Sequence, residues 1–198
     1  MNPEIIWFKN CSYENKHLVG GKCSSLGELH QIAKKIGFSI GDGFALTIDM
    51  YDSFIEYNHL TSQIETDLSN INVVNIKELE EKSKNLRTLI ENGEFSEHHK
   101  TIITEYYNKL SQIYTVENLD VAVRSSALAE DLPNASFAGQ HDTFLNVSGK
   151  DHLLQSIKEC FASLFNSRAV SYRKTHNIAL SDVKISVAIQ KMIRSDIG

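Results

Sequence analysis

Three stretches of this sequence carry residue types suited to holding a phosphorylated ligand. The first is Gly20-Gly21-Lys22. Paired glycines let a backbone approach a ligand closely, amides ahead of a helix favour an anion, and a lysine adds a mobile point charge. The triplet is not a Walker A loop, because no GxxxxGK[ST] pattern occurs. Taken alone, it reads more readily as a surface turn with a solvated lysine. The second stretch is Val121-Ala122-Val123-Arg124-Ser125-Ser126-Ala127. An arginine at the end of an apolar strand is held rigidly near the interior and needs an anionic partner. Its planar fork suits phosphate, and a structural ion pair with Glu130 or Asp131 would satisfy it equally well. The third runs from Glu130 to Thr143 and mixes small residues with hydroxyls and amides, including Gly139 and Thr143. Long loops in compact domains are often functional, and a flexible surface loop is the other reading. Gln190 follows an alternating apolar run, where it either reaches the base or sugar of a nucleotide or marks the end of a strand.

Other chemistries find less support. The eight histidines show no metal-ligand spacing, and His98-His99 reads as solvated side chains on a polar helix. Cys11, Cys23 and Cys160 are odd in number, widely spaced and without a CxxC, which argues against a disulfide framework or structural zinc and fits a reducing cytoplasm.

Periodicity supplies the elements that must position these groups. Ile5 to Lys9 predicts a strand, and Leu18 to Gly27 a Gly- and Ser-rich turn. A helix through about residue 36 follows, with Leu26, Leu29, Ile32, Ala33 and Ile36 on one face. Phe44 to Leu46 predicts a strand, and Thr47 the N-cap of a helix through Tyr57. Residues from about 61 to 117 read as all-helical scaffold, with Asn75 and Ser96 as caps and Gly93 just past one helix end. Strands are predicted at Val121 to Val123 and Thr143 to Val147, and helices over about 151–166 and 167–176. Val183, Ile185, Val187 and Ile189 alternate as a half-buried strand would. Interspersed helices and strands give an α/β or α+β class.

A chain of 198 residues, 41% hydrophobic and 23% charged, can bury a real core as one ordinary domain or two small ones. Its net charge of −5 argues against a general nucleic-acid or anionic-membrane binder, while allowing a local positive site. The Ile5-Ile6-Trp7-Phe8 run is too short for the apolar region of a signal peptide. No apolar run approaches the ~20 residues that span a bilayer.

Together these pieces resemble one family. Val19-Gly20-Gly21-Lys22 with Ser25-Leu26-Gly27-Glu28 is similar to the N-terminal signature of phosphoenolpyruvate synthases and pyruvate phosphate dikinases. Val121 to Ala127, then Ala129-Glu130-Asp131-Leu132-Pro133-Asn134-Ala135-Ser136-Phe137-Ala138-Gly139-Gln140, is a long and specific match to the same family. Ala162-Ser163-Leu164-Phe165-Asn166, Arg168 to Arg173, and Gln190 to Asp196 continue it in the right order. Leu128 stands where threonine is common, and Cys23 where a small or amide residue is usual. The helical middle carries no recognisable signature.

The resemblance implies an ATP-grasp-like nucleotide-binding domain with a helical insertion, incomplete here. By it, Lys22 and Arg124 bind ATP phosphates, Gly139 and Thr143 line a phosphate-covering loop, and Gln190 approaches the adenine. Arg124 carries the catalytic role. The family reaction moves phosphoryl groups from ATP to a histidine on a swivelling domain and then to pyruvate, with Mg²⁺ neutralising phosphate charge. The metal ligands, the phosphorylated histidine and the pyruvate site are expected beyond residue 198. The match breaks off inside a family motif at Ile197-Gly198, so the chain reads as a fragment, inactive by itself. Rifampicin phosphotransferases share the nucleotide domain, and Gln140-His141-Asp142-Thr143 with Gly149-Lys150-Asp151 leans toward them. Ile6-Trp7-Phe8 and the segments after Ala162 lean toward phosphoenolpyruvate synthase. A non-catalytic nucleotide-binding module is the third reading.

Overall fold

The computed structural model describes residues 3–127, 142–176, 178 and 184–193. Five strands form one sheet: β1 (Ile5–Trp7), β2 (Gly43–Leu46), β3 (Val121–Ala127), β4 (Thr143–Val147) and β5 (Ile185–Lys191). Their spatial order is β1-β2-β5-β3-β4, and every ladder is antiparallel. Of the two class readings, α+β therefore holds. Seven α-helices are described: α1 (Lys16–Ile36), α2 (Ile48–Tyr57), α3 (Thr61–Ser69), α4 (Ile76–Glu91), α5 (Glu97–Ile113), α6 (Lys150–Ala162) and α7 (Ser167–Thr175). Short 3-10 turns occupy Phe8–Asn10 and Ser163–Phe165.

The two faces of the sheet are sorted by side-chain size. Phe44, Leu46, Val121, Val123, Val187 and Ile189 join the main core with Phe54, Leu86, Ile103, Tyr107, Ile157 and Phe161 from the helices. The other face carries α1, where Ile6, Ala45 and Ala188 pack against Leu18, Val19 and Cys23. The alternation at the end of the sequence reflects this sorting. Ile185, Val187 and Ile189 are the large set, while Ser186 and Ala188 are the small set beneath α1. β5 is a central strand buried on both faces through Ile189, not the half-buried strand expected, and it runs on through Gln190 to Lys191. Val183 lies outside the described residues.

The helical middle follows the capping rules. The Asn75 side chain accepts from the Glu78 amide, and that of Ser96 from the His99 amide. Leu79, Leu86 and Ile90 of α4, with Ile103, Tyr107 and Leu110 of α5, are the buried stripes. Thr47 precedes α2 as expected but makes no side-chain cap. Its hydroxyl donates instead to the carbonyls of Pro3 and Glu4, tying α2 to the N-terminal strand.

The largest departure is at α1. Leu18 to Gly27, read as a turn, is helical, with one bend at Gly20 (φ 70°, ψ 173°). The stripe of Leu29, Ile32 and Ile36 faces water, with Ile36 67% exposed. The buried side is Leu18, Val19, Gly20, Cys23, Ser24, Gly27 and Ala33, and of the expected stripe only Ala33 is buried, with Leu26 packing partly against the same cluster. Small residues face inward because the helix lies almost against backbone. A Cβ on Gly27 would stand 1.9 Å from the Cys11 carbonyl oxygen. These glycines serve close helix packing as much as any ligand.

Gly27→Ala is accordingly expected to destabilise the chain by about 2–4 kcal/mol, an overpacking cost against rigid backbone. Urea denaturation of both proteins measures it. A midpoint unchanged from wild type would contradict the contact.

Candidate functional site

A single register row crosses the whole sheet. Ile6 pairs with Ala45, Ala45 with Ala188, Ala188 with Arg124, and Arg124 with Thr143. Directly paired residues on antiparallel strands point to the same face. The first three members of the row lie beneath α1. The last two, on β3 and β4, are exposed. The helix thus covers part of this face and leaves Arg124 and Thr143 bare beside it.

The edge of α1 supplies the second wall. Gly21, Lys22, Ser25 and Leu26 share a cleft of about 420 Å³ with Arg124 and Ala188. The Lys22 Nζ donates to the Ser125 carbonyl (3.1 Å), the residue next to Arg124. The two cations singled out in the sequence, about a hundred residues apart, therefore meet in one cleft. Arg124 sits in the middle of β3, more exposed than a strand-end arginine near the interior would be. It has no ion-pair partner among the described residues. Glu130 and Asp131, the carboxylates that offered a structural pairing, lie outside them, as does Gly139.

Gln190 lies on the same face, one step along. It pairs with Ala122 on β3 and Gly43 on β2, and its Nε2 donates to the Gly41 carbonyl (3.3 Å). It does not line the cleft that Lys22 and Arg124 share. Thr143 is a strand neighbour of Arg124 and exposed, but like Gln190 it does not line that cleft.

A polar seam holds this geometry. The bend at Gly20 sets α1 against β3, and a Cβ there would meet the Ser126 carbonyl oxygen at 2.2 Å. Ser126 is fully buried, and its hydroxyl donates to the Val19 carbonyl (2.8 Å) and accepts from the Cys23 amide (3.3 Å). It closes the two backbone groups that the bend would otherwise strand. Neither Ser126 nor Ser186, whose hydroxyl contacts the Cys23 thiol (3.9 Å), was recognisable as a positioning residue from the sequence. Small polar residues in a strand gave the only signal. The three cysteines are buried and form no disulfide. Burial first, and then the nearby Cys23, push the Cys11 thiol up to about 12, so it stays protonated and inert at neutral pH.

The described residues contain no group of three or more His, Cys, Asp or Glu able to hold a metal ion, and no helix among them is long and apolar enough to cross a membrane. Comparison with known proteins gives a consistent result. The family model described as pyruvate phosphate dikinase, AMP/ATP-binding domain, matches residues 16–198. A phosphoenolpyruvate synthase of Aquifex aeolicus is 43% identical over 194 residues, covering 98% of this chain and 23% of the relative. The phosphoenolpyruvate synthase of Helicobacter pylori is 44% identical over 194 residues, covering 24% of its length. That of Escherichia coli is 38% identical over 197 residues, covering 25% of its length. The chain thus spans about a quarter of the length of the relatives it matches.

The seam can be tested by Ser126→Ala. Two buried backbone groups would lose their partner, and the expected loss is about 2–3 kcal/mol. Amide exchange at Cys23 should accelerate by about tenfold or more. Exchange at the wild-type rate would show that the bend does not depend on this hydroxyl.

Proposed function

This chain belongs to the pyruvate phosphate dikinase AMP/ATP-binding domain family, and from that premise we propose that it forms one wall of the ATP site of a phosphoenolpyruvate synthase. The observation that carries the reading is the convergence of Lys22 and Arg124 on one cleft. Arg124 presents a rigid fork from a sheet strand, suited to two oxygens of one phosphate. Lys22 adds a charge on a flexible stem, held next to Arg124 on the Ser125 carbonyl and able to swing to a ligand. The Thr143 hydroxyl adds a donor beside Arg124.

In this reading Gly139 belongs with Thr143 to the segment covering the phosphates, and Gln190 serves the adenine end. Arg124 neutralises charge that develops as a phosphoryl group leaves, the largest catalytic contribution a fixed cation can make. Mg²⁺ would neutralise charge on the phosphates, held by acidic residues expected beyond residue 198. The reaction proposed for the whole protein converts ATP, pyruvate and water to phosphoenolpyruvate, AMP and phosphate through a phosphohistidine. The helices from about 61 to 117 act as scaffold. The remaining ATP-grasp lobe, the histidine and the pyruvate site belong to other parts of the protein. One wall supplies only part of the contacts, so the chain alone is inactive.

Two measurements test this. Calorimetric titration of the 198-residue chain with Mg-ATP should give dissociation constants no tighter than about 1 mM, because half a site forgoes half its contacts. Micromolar binding would contradict the one-wall reading. In the full-length protein, Arg124→Ala should cut ATP-dependent phosphoryl transfer by about 10²–10³-fold. Activity near wild type would remove Arg124 from the site.

A further inference from the structure

A second cationic recess lies elsewhere on the molecule, where α4 packs against α7. It measures about 300 Å³. Ser83, Lys84 and Arg87 of α4 face it, spaced so that one side of the helix presents all three. Ser167 and Arg168 enter from the first turn of α7.

Two donors in this recess have no hydrogen-bond partner among the described residues. One is the hydroxyl of Ser83, a residue only 3% exposed, and the other is the buried Arg87 Nε. A serine hydroxyl on a helix usually returns to the carbonyl one turn back, and Ser83 does not. The N-terminus of α7 adds more donors. The first intrahelical acceptor is the Asn166 carbonyl, which takes the Val170 amide (2.9 Å), and Asn166 makes no side-chain cap. The amides of Ser167, Arg168 and Ala169 therefore have no acceptor within the helix.

The charges have a sign as well. Lys84, Arg87 and Arg168 line the recess against the carboxylates of Glu80 and Asp142. Arg87 meets Asp142 at 3.9 Å and Glu91 at 3.7 Å, beyond hydrogen-bond distance, so neither carboxylate satisfies its guanidinium. Lys84 and Arg168 have no ion-pair partner among the described residues. An acceptor-only ligand of compact size and negative charge answers all of these groups at once.

We propose that this recess is an anion site for a free tetrahedral oxyanion of the inorganic phosphate class. The Arg168 and Arg87 guanidiniums, the Ser83 hydroxyl and the first-turn amides of α7 hold it. The recess shares no lining residue with the Lys22 and Arg124 cleft. At ~30 Å³ per water, the volume fits such an ion with a few waters.

The test is amide chemical-shift titration of the ¹⁵N-labelled 198-residue chain with inorganic phosphate, sulfate or acetate at constant ionic strength. Phosphate and sulfate are expected to give saturable shifts at Ser167, Arg168 and Ala169, with dissociation constants of about 1–10 mM. Acetate should bind at least about fivefold more weakly, for want of a second charge and a third oxygen. Arg168→Gln and, separately, Ser83→Ala should each weaken phosphate by about three- to tenfold. Lys22→Gln should leave these shifts unchanged, which separates this site from the nucleotide cleft. The proposal is overturned if the shifts fail to saturate, if acetate matches phosphate, or if both variants bind as wild type. Shifts scattered over surface lysines, meaning an adventitious ion only, would overturn it too.

Discussion

Everything at the candidate site depends on how near α1 can come to the sheet. Helix and sheet usually meet through interdigitating side chains, with backbones held well apart. Here Gly20 removes that spacer on the sheet, where a Cβ would fall 2.2 Å from the Ser126 carbonyl oxygen, and Gly27 does the same against Cys11, just past the 3-10 turn after β1, at 1.9 Å. The sheet answers with alanines, Ala45 and Ala188, beneath the helix. Small residues on both sides let Lys22 reach a carbonyl on β3 and share a cleft with Arg124. Bulkier residues would lift the helix and part the two cations, without touching either.

The sheet does the rest of the positioning. Arg124, Ala188 and Thr143 are neighbours by hydrogen-bond register, a more rigid constraint than any loop could impose. The main core on the opposite face, where Phe44, Val123 and Ile189 meet Phe54, Ile103 and Phe161, fixes that register. A one-residue slip would turn Arg124 into the core and Val123 outward. Core packing and the direction of one guanidinium are thus the same constraint seen from two faces.

Much of this was legible in the sequence. The strands, the caps at Asn75 and Ser96 and the pairing of Lys22 with Arg124 followed from periodicity, capping chemistry and the family motifs. The reading failed where size mattered more than hydrophobicity. Glycine and serine between residues 20 and 27 signal a turn by propensity, because glycine costs about 1 kcal/mol in a helix, yet tertiary contact with Cys11 and Ser126 outweighs it. The larger aliphatics Leu29, Ile32 and Ile36 suggested the buried stripe and are exposed, since the shallow gap has no room for them. Ser126 escaped notice because its role is to satisfy backbone groups on a distant element, and no local pattern records such a debt. The recess between α4 and α7 was hidden for a similar reason. Ser83 and Arg168 belong to segments that read as scaffold and as a family motif, and only packing brings them together.

The outer border of the sheet has a physical implication of its own. β4 is an edge strand, and its pairing with β3 shifts register between Val121 and Val123. Asn146 adopts a positive φ of 55° in the same stretch, and Leu145 is 57% exposed. A straight, apolar border would offer itself to any other extended chain. An irregularity of this kind bends and twists an edge strand, so it offers a poorer ladder to another chain. An exposed leucine is thereby tolerated beside the cationic cleft, and the border stays a poor template for stacking copies into fibrils.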